Sequence, residues 1–261
     1  MRRYPALVAL CALISAASPI AAYSDGLGIT VSPAKLELQM QPGTSYNIPV
    51  SIHNATSDTH IQSSMVDFGV SSDGNYDIQR VGAKQYSLMK FASINPREFD
   101  LPGNTTQQVR LSISLPSEKN MSGEYAGIVF FQTRPIRRSG VVAFSARVAA
   151  KVYMTVPGTV KVDGAITKMA SLHSPIGQQY RVQFKNLGNA HVYLRGEVDV
   201  QQDGKNVDRV QMPSEQLVER GGDRIIDVTG KTLTHGKYQA IATIDYGGKE
   251  MTGGQISFEV K

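Results

Sequence analysis

Apolar and polar residues alternate along residues 141–153, a segment that is followed by Pro157 and Gly158. Successive side chains of a β-strand point to opposite faces, so this alternation predicts a half-buried strand with one apolar face. That face carries Val142, Phe144, Ala146, Val148, Ala150 and Val152. Residues 127–134 predict a second strand, and the loop 135–140, which ends in a glycine, joins the two strands as a hairpin.

The part of the chain before this hairpin has the same character. From Gly28 onward, short alternating segments are separated by the turn residues Pro, Gly, Asn and Asp. Roughly seven such strands at this spacing are typical of an immunoglobulin-like β-sandwich. No segment of useful length has the period of an amphipathic helix, which excludes a parallel α/β fold.

The second half of the chain repeats the pattern of the first. Residues 182–192 follow the order strand, Asn, short turn, His, strand, which is also the order in residues 50–61. A Gly-x-Tyr sequence begins a late strand in each half and predicts a tyrosine corner at Tyr125 and at Tyr238. We therefore predict an all-β protein of two tandem immunoglobulin-like β-sandwich domains.

The first residues predict export. Two arginines follow Met1, and the apolar run after them ends near Ala22 in small residues that suit a signal peptidase. We predict a signal peptide at 1–24, an N-terminal domain at 25–157, a C-terminal domain at 158–261 and a periplasmic location. An uncleaved membrane anchor is the alternative. No later segment has the roughly 20 apolar residues that a membrane span needs, so we expect no integral membrane segment after cleavage.

Charge and reactive residues narrow the function. The formal net charge of +5 falls to +3 with the loss of Arg2 and Arg3, and no basic cluster predicts nucleic-acid binding. The only cysteine, Cys11, lies in the signal peptide, so the mature chain has no disulfide. No catalytic or phosphate-loop motif is present, and His53 and His60 are too few for a metal site. We predict a protein that is not an enzyme and uses no cofactor or metal.

Two short sequences connect the chain to a known family. Ser32-Pro-Ala-Lys35 lies in the first predicted strand, and Ala150-Lys-Val-Tyr153 lies in the last strand of the first domain. In these sequences, and in its strand pattern over about residues 28–157, the chain resembles the periplasmic pilus-assembly chaperones of the chaperone–usher system. The resemblance implies that Lys35 and Lys151 anchor the C-terminal carboxylate of a fimbrial or surface subunit in the cleft between two domains.

The resemblance also implies how such a subunit is bound. A strand of the subunit pairs with the edge of the last strand of the first domain. Val142, Phe144 and Ala146 are then the side chains inserted into the subunit, because they lie upstream of Lys151 and on the opposite parity. The expected partners are a fimbrial or surface protein subunit and, in that system, an outer-membrane usher.

The chain departs from the family's pattern, and two other interpretations stay open. Lys35 stands where the family has an arginine, which replaces a bidentate group by a point charge. The loop 135–140 is short, and Val142, Phe144 and Ala146 have little bulk for inserted residues. In one alternative these residues face their own domain core and both lysines are simply solvated. In the other, the tandem domains form a structural or adhesive module of the cell envelope that captures no strand.

Overall fold

The computed structural model describes residues 28–117, 120–135 and 144–261. The predicted signal peptide and Val142 lie outside these residues. The regular secondary structure of the described residues consists of β-strands and one short 3₁₀ turn at Met89–Phe91. No helix within the three described segments is long and apolar enough to cross a bilayer.

The first half of the described chain forms ten strands in two sheets, more than the roughly seven expected. They are β1 (Ile29–Ser32), β2 (Lys35–Gln39), β3 (Ser45–Asn54), β4 (Thr59–Val70), β5 (Tyr76–Gln79), β6 (Ala92–Asn95), β7 (Glu98–Leu101), β8 (Thr106–Ser114), β9 (Glu124–Thr133) and β10 (Arg147–Thr155). One sheet has the order β1-β3-β8-β6, and the other has the order β2-β10-β9-β4-β5 with β7 also paired to β4. The chain passes from the first sheet to the second at Pro33 and Ala34, where proline cannot donate to a strand ladder.

The second half forms eight strands. They are β11 (Gly164–Ser174), β12 (Gly177–Asn186), β13 (Val192–Gln202), β14 (Lys205–Gln211), β15 (Gln216–Val218), β16 (Asp223–Thr229), β17 (Gly236–Asp245) and β18 (Thr252–Val260). One sheet has the order β11-β12-β16, and the other has the order β14-β13-β17-β18 with β15 paired to β13. The boundary predicted between residues 157 and 158 falls in the connection from β10 to β11.

Alternation decides which side chains fill each sandwich. In β8, Val109, Leu111 and Ile113 point inward and are buried, while the residues between them are more exposed. In β12, Val182 and Phe184 are buried in the same way. Full burial of such a side chain stabilises the fold by about 1.5–3 kcal/mol. Each sandwich has its own apolar core.

The two sandwiches share the pairing order of one sheet, and the repeated sequence pattern predicts such a likeness. In the first, β4 pairs with β5, β7 and β9, and β9 pairs with β10. In the second, β13 pairs with β14, β15 and β17, and β17 pairs with β18. Asn54 ends β3 and Asn186 ends β12, and each buried amide donates to three backbone carbonyls. Because buried polar groups need partners, this asparagine fixes the same corner in both sandwiches.

The predicted tyrosine corner is present in the second sandwich. The Tyr238 hydroxyl donates to the backbone carbonyl of Thr234 at 2.9 Å. Its counterpart Tyr125 packs edge-on against Tyr86 and Phe91 instead, and its hydroxyl bonds to no described backbone atom. The prediction is therefore confirmed for Tyr238 and is not met by the described partners of Tyr125. The physical reason is the long segment between β5 and β6, which supplies both aromatic neighbours of Tyr125.

The sandwiches meet at the start of β9. The Glu124 N–H donates to the Asn189 carbonyl at 2.8 Å, and the Glu124 carboxylate accepts from the His191 N–H at 3.2 Å. The same carboxylate lies 2.5 Å from His191 Nδ1. Arg220 donates to the Glu124 carbonyl at 3.1 Å, and its guanidinium carbon lies 3.3 Å from the centre of the Tyr86 ring. Since several of these bonds involve backbone atoms, they hold the two domains in one relative orientation.

The turn between β4 and β5 makes a second contact with the C-terminal domain. The Val70 N–H donates to the Glu219 carboxylate at 2.8 Å, and Lys84 Nζ lies 3.3 Å from the same oxygen. The Ile225 N–H donates to the Ser72 carbonyl at 2.7 Å. This contact fixes the β4–β5 hairpin, and with it the start of β5, beside the cleft between the domains.

Gly123 gives a test of the domain contact. Its φ is +70°, and a Cβ there would lie 2.4 Å from the Asn189 carbonyl oxygen, whereas Gly204, with φ +75°, faces open space. Both Gly→Ala changes incur the strain of left-handed backbone, about 1–2 kcal/mol. We expect Gly123→Ala to lower the free energy of unfolding by a further ~1–3 kcal/mol, because two backbones must separate. Urea unfolding of both variants measures this difference, and equal losses would contradict the described contact.

Candidate functional site

β10 is paired along its whole length on one side and along half of it on the other. With β9 the register runs from Arg147 opposite Gln132 to Thr155 opposite Glu124. With β2, which is parallel to β10, the register begins only at Lys151, opposite Lys35. In the described residues, no strand pairs with β10 on the β2 side before Lys151. We call residues 147–150 the open edge.

The hydrogen bonds on either side of β10 identify the backbone groups of the open edge. The Lys151 N–H donates to the Ala34 carbonyl at 2.9 Å, toward β2, and the Ala146 carbonyl accepts from the Thr133 N–H at 2.9 Å, toward β9. Backbone groups of successive strand residues point to alternate sides. The N–H and C=O of Arg147 and Ala149 therefore point away from β9, where an added strand would find them.

Of Val142, Phe144 and Ala146, the side chains predicted to insert into a subunit, the structure describes two, and these differ in how exposed they are. Val142 lies outside the described residues. Phe144 is 70% exposed, and its ring lines a shallow depression with Ile29 and Thr59. Ala146 is half-buried and packs against the core of its own domain, because the even-numbered face of β10 is the core face. Of the two described residues, only Phe144 presents its side chain to solvent.

Lys35 and Lys151 lie side by side, but their ammonium groups have different partners. They are direct register partners in the parallel pair of β2 and β10. Lys35 Nζ lies 2.8 Å from the Glu37 carboxylate and 5.2 Å from the centre of the Tyr193 ring, which belongs to the C-terminal domain. Lys151 Nζ donates to the Tyr76 hydroxyl at 3.1 Å. The two lysines that the sequence analysis singles out are therefore neighbours. Glu37 is the partner of Lys35, and Tyr76 is the partner of Lys151.

The pKa values follow from these contacts. The hydrogen bond that the Lys35 ammonium donates to the Glu37 carboxylate raises the pKa of Lys35 and lowers the pKa of Glu37. Both side chains are about half exposed, so water screens the pair and its contribution to stability is small. Lys35 and Glu37 are both charged at neutral pH, and together they carry no net charge.

An aromatic cluster covers the outer face of the same sheet beside Lys151. Phe68 and Tyr153 are buried with their rings edge-on, 6.1 Å apart, and the Tyr76 ring lies 5.7 Å from Phe68. Burial raises the pKa of the Tyr153 hydroxyl, which keeps it neutral. Further along the face, the Arg147 guanidinium carbon lies 3.9 Å from the centre of the Phe130 ring. The outward-facing side chains of a strand added at the open edge would continue this apolar and cationic face.

Sequence reasoning missed Tyr76, Glu37 and Tyr193 as neighbours of the two lysines. Glu37 could have been found, because residues i and i+2 of a strand share a face. Tyr76 lies in a short strand without a strong alternation, and Tyr193 comes from the other domain. Neither of these two contacts has a local sequence signal.

No metal site emerges from the described residues. No group of three or more His, Cys, Asp or Glu side chains in the described part of the chain is arranged to hold an ion. His53 contacts the Thr106 hydroxyl at 3.1 Å, and His60 contacts the Asp100 carboxylate at 2.7 Å. His60 also lies 3.5 Å from the Glu98 carboxylate, and the two histidines thus have separate partners.

Comparison with known proteins gives structural matches only. No protein-family profile matches the chain, and no curated protein matches it. A chain of the structure described as a chaperone–tip adhesin complex vital for synergistic activation of CFA/I fimbriae biogenesis is 11% identical, with a TM-score of 0.50. The match covers 88% of this chain and 97% of that chain.

Two further similarities have TM-scores below 0.5. The class 5 fimbriae chaperone CfaA is 11% identical over 89% of this chain and 99% of its own, with a TM-score of 0.48. The CsuC–CsuE chaperone–tip adhesion subunit pre-assembly complex of Acinetobacter baumannii contains a chain that is 12% identical, with 88% and 97% covered and a TM-score of 0.47. The match at 0.50 shows that the chain has the predicted two-domain β-sandwich fold, which is the fold of a fimbrial chaperone complex component.

Proposed function

We propose that this protein is an exported, non-enzymatic, periplasmic chaperone-like protein that binds a fimbrial or surface subunit by β-strand addition. The observation that carries this proposal is the one-sided pairing of β10 upstream of Lys151. Unpaired N–H and C=O groups in a row are a template for another strand. In this proposal an extended segment of the subunit fills that row, and an outer-membrane usher receives the complex.

The position of β2 relates the direction of an added strand to the two lysines. β2 runs parallel to β10 and begins with Lys35 opposite Lys151. A subunit strand on the open edge would lie in the same row, upstream of β2. If it also runs parallel to β10, its C-terminus ends where β2 begins. Its terminal carboxylate then lies beside the two lysines, which supports the sequence-based assignment of Lys35 and Lys151 as the anchor region.

The ends of the row would fix the register. Main-chain hydrogen bonds repeat every two residues along a strand, so they supply affinity without selecting a single register. A terminal carboxylate that must reach the lysines selects one register, and a slip by one residue would turn each inserted side chain to the wrong face. Phe144, exposed beyond the open edge, is then available to the subunit, and we keep Val142 and Ala146 as proposed neighbours of the inserted segment.

The fold comparison supports the class of partner. The structure that matches at a TM-score of 0.50 is described as a chaperone–tip adhesin complex in fimbriae biogenesis. A protein with this fold and an open edge in one domain suits an exported, surface-organelle subunit as its partner. Any neighbouring gene that encodes a small exported β-protein would supply a candidate subunit for the experiments below.

Ala149 offers a test of backbone pairing. Its N–H points away from β9, so Ala149→Pro removes a donor of the open edge without removing a bond to β9. We expect Ala149→Pro to reduce recovery of a co-exported subunit at least tenfold, which corresponds to the loss of about 1.4 kcal/mol or more. Ala149→Val keeps the N–H donor and introduces a side chain that favours β-strands, and it should recover the subunit as the wild type does. Equal recovery with both variants would contradict strand addition at this edge.

The lysine pair offers a test of the anchor region. We expect the double variant Lys35→Ala, Lys151→Ala to keep its fold, because neither side chain is buried in a core, and to lose the complex with the subunit. The control variant Lys168→Ala, Lys205→Ala removes the same charge from exposed positions of the C-terminal domain. Affinity purification followed by circular dichroism measures both properties.

The outcomes separate the two functional classes. If the variant Lys35→Ala, Lys151→Ala loses the complex and the control variant keeps it, the result supports a strand that is anchored at the two lysines. Unchanged recovery of the complex would reject the anchor region. A wild-type protein that stays monomeric with every co-exported subunit would instead support a structural or adhesive module of the envelope.

A further inference from the structure

Lys35 presents little net positive charge to a second carboxylate. Its ammonium nitrogen lies 2.8 Å from Glu37, two residues along the same strand and on the same face. A carboxylate that approaches Lys35 therefore also approaches Glu37, and the repulsion from one opposes the attraction of the other. Because Glu37 is covalently tethered at this position, it competes for Lys35 at all ligand concentrations.

Lys151 differs, since its nearest polar contact is neutral. Its ammonium donates to the Tyr76 hydroxyl at 3.1 Å and lies 5.2 Å from the centre of the same ring. Within the described residues, Lys151 forms no ion pair with a carboxylate. An ammonium group has three donors, so two remain for a ligand. The positive charge at this end of the open edge is therefore that of Lys151.

Tyr76 adds a second donor at the same point. Its hydroxyl accepts a hydrogen bond from Lys151, which leaves the proton of the hydroxyl free to donate. The ring is held at 5.7 Å from buried Phe68, while the residue as a whole is 44% exposed. Val70, the last residue of β4, lies opposite Tyr76 and donates its N–H to Glu219 of the C-terminal domain. The hydroxyl is thus both accessible and positioned.

We infer that Lys151 and Tyr76 together bind the terminal carboxylate of the added strand, with Lys35 retained by Glu37. This inference rests on the proposed function. One carboxylate oxygen accepts from the Lys151 ammonium, and the other accepts from the Tyr76 hydroxyl. The cation gives the attraction, and the phenol gives the direction that a lone ammonium lacks. Tyr76 is then a specificity residue for a free C-terminus.

The test uses a soluble peptide in two forms. The peptide begins with lysines and continues with a segment in which valine alternates with threonine. Its C-terminus is either a free carboxylate or an amide. Calorimetry measures the dissociation constants of both forms with the wild type, Tyr76→Phe, Lys151→Met and Lys35→Met. Tyr76→Phe keeps the ring and removes only the hydroxyl. Tyr46→Phe is the matched control, because Tyr46 is also 44% exposed and lies in the other sheet.

We expect the free carboxylate to bind the wild type more tightly than the amide does. Tyr76→Phe should weaken binding of the carboxylate form about tenfold and leave the amide form unchanged. Lys151→Met should erase the difference between the two forms. Lys35→Met and Tyr46→Phe should each change the affinity for the carboxylate form less than about twofold.

Other results would overturn the inference. If Tyr76→Phe binds both forms as the wild type does, or Lys35→Met loses as much affinity as Lys151→Met, the carboxylate site is not the one described. If the wild type binds both forms equally well, strand addition stands and the carboxylate site fails. If it binds neither form, strand addition itself fails, and the inference fails with it.

Discussion

Backbone hydrogen bonding on one side of a single strand is the constraint on which the structure of the site depends. From Lys151 to Thr155, β10 is paired with β9 and with β2, so its backbone groups are satisfied inside the sheet. Upstream of Lys151, the described chain provides only β9. A central strand thus becomes an edge strand partway along its length, because β2 begins where the chain has crossed from the other sheet. The crossing at Pro33 and Ala34 determines where the open edge ends.

The end of the open edge is also where charge and both domains come together. Lys35 and Lys151 are adjacent in the register, Tyr193 reaches Lys35 from the C-terminal domain, and Tyr76 reaches Lys151 from β5. The position of β5 depends on contacts with the second sandwich through Glu219 and the β16 backbone. The domain contact therefore shapes the site although it contains no residue of the open edge. An extended ligand that is anchored here would lie beside residues of both domains.

Much of the fold could be predicted from the sequence. The alternation in β8 and β10 reflects burial on one face, and the repeated Asn before a short turn reflects a buried amide that caps the same corner twice. The adjacency of Lys35 and Lys151 was predicted only through a family resemblance. Their separation into a Lys35–Glu37 pair and a Lys151–Tyr76 pair was not predicted. Which neighbour an exposed ammonium chooses depends on packing between β5, the aromatic face and the second domain, and no local pattern encodes that packing.

The most direct measurement of the central claim is amide hydrogen exchange of β10, resolved by residue with NMR. Alternation assigns the N–H groups of Val148 and Ala150 to β9 and those of Arg147 and Ala149 to the open edge. We predict slow exchange for the first pair and fast exchange for the second in the free protein, with the second pair becoming protected when an extended ligand binds. Equal protection of all four amides in the free protein would contradict the open edge, because it would show that this row of β10 is already paired.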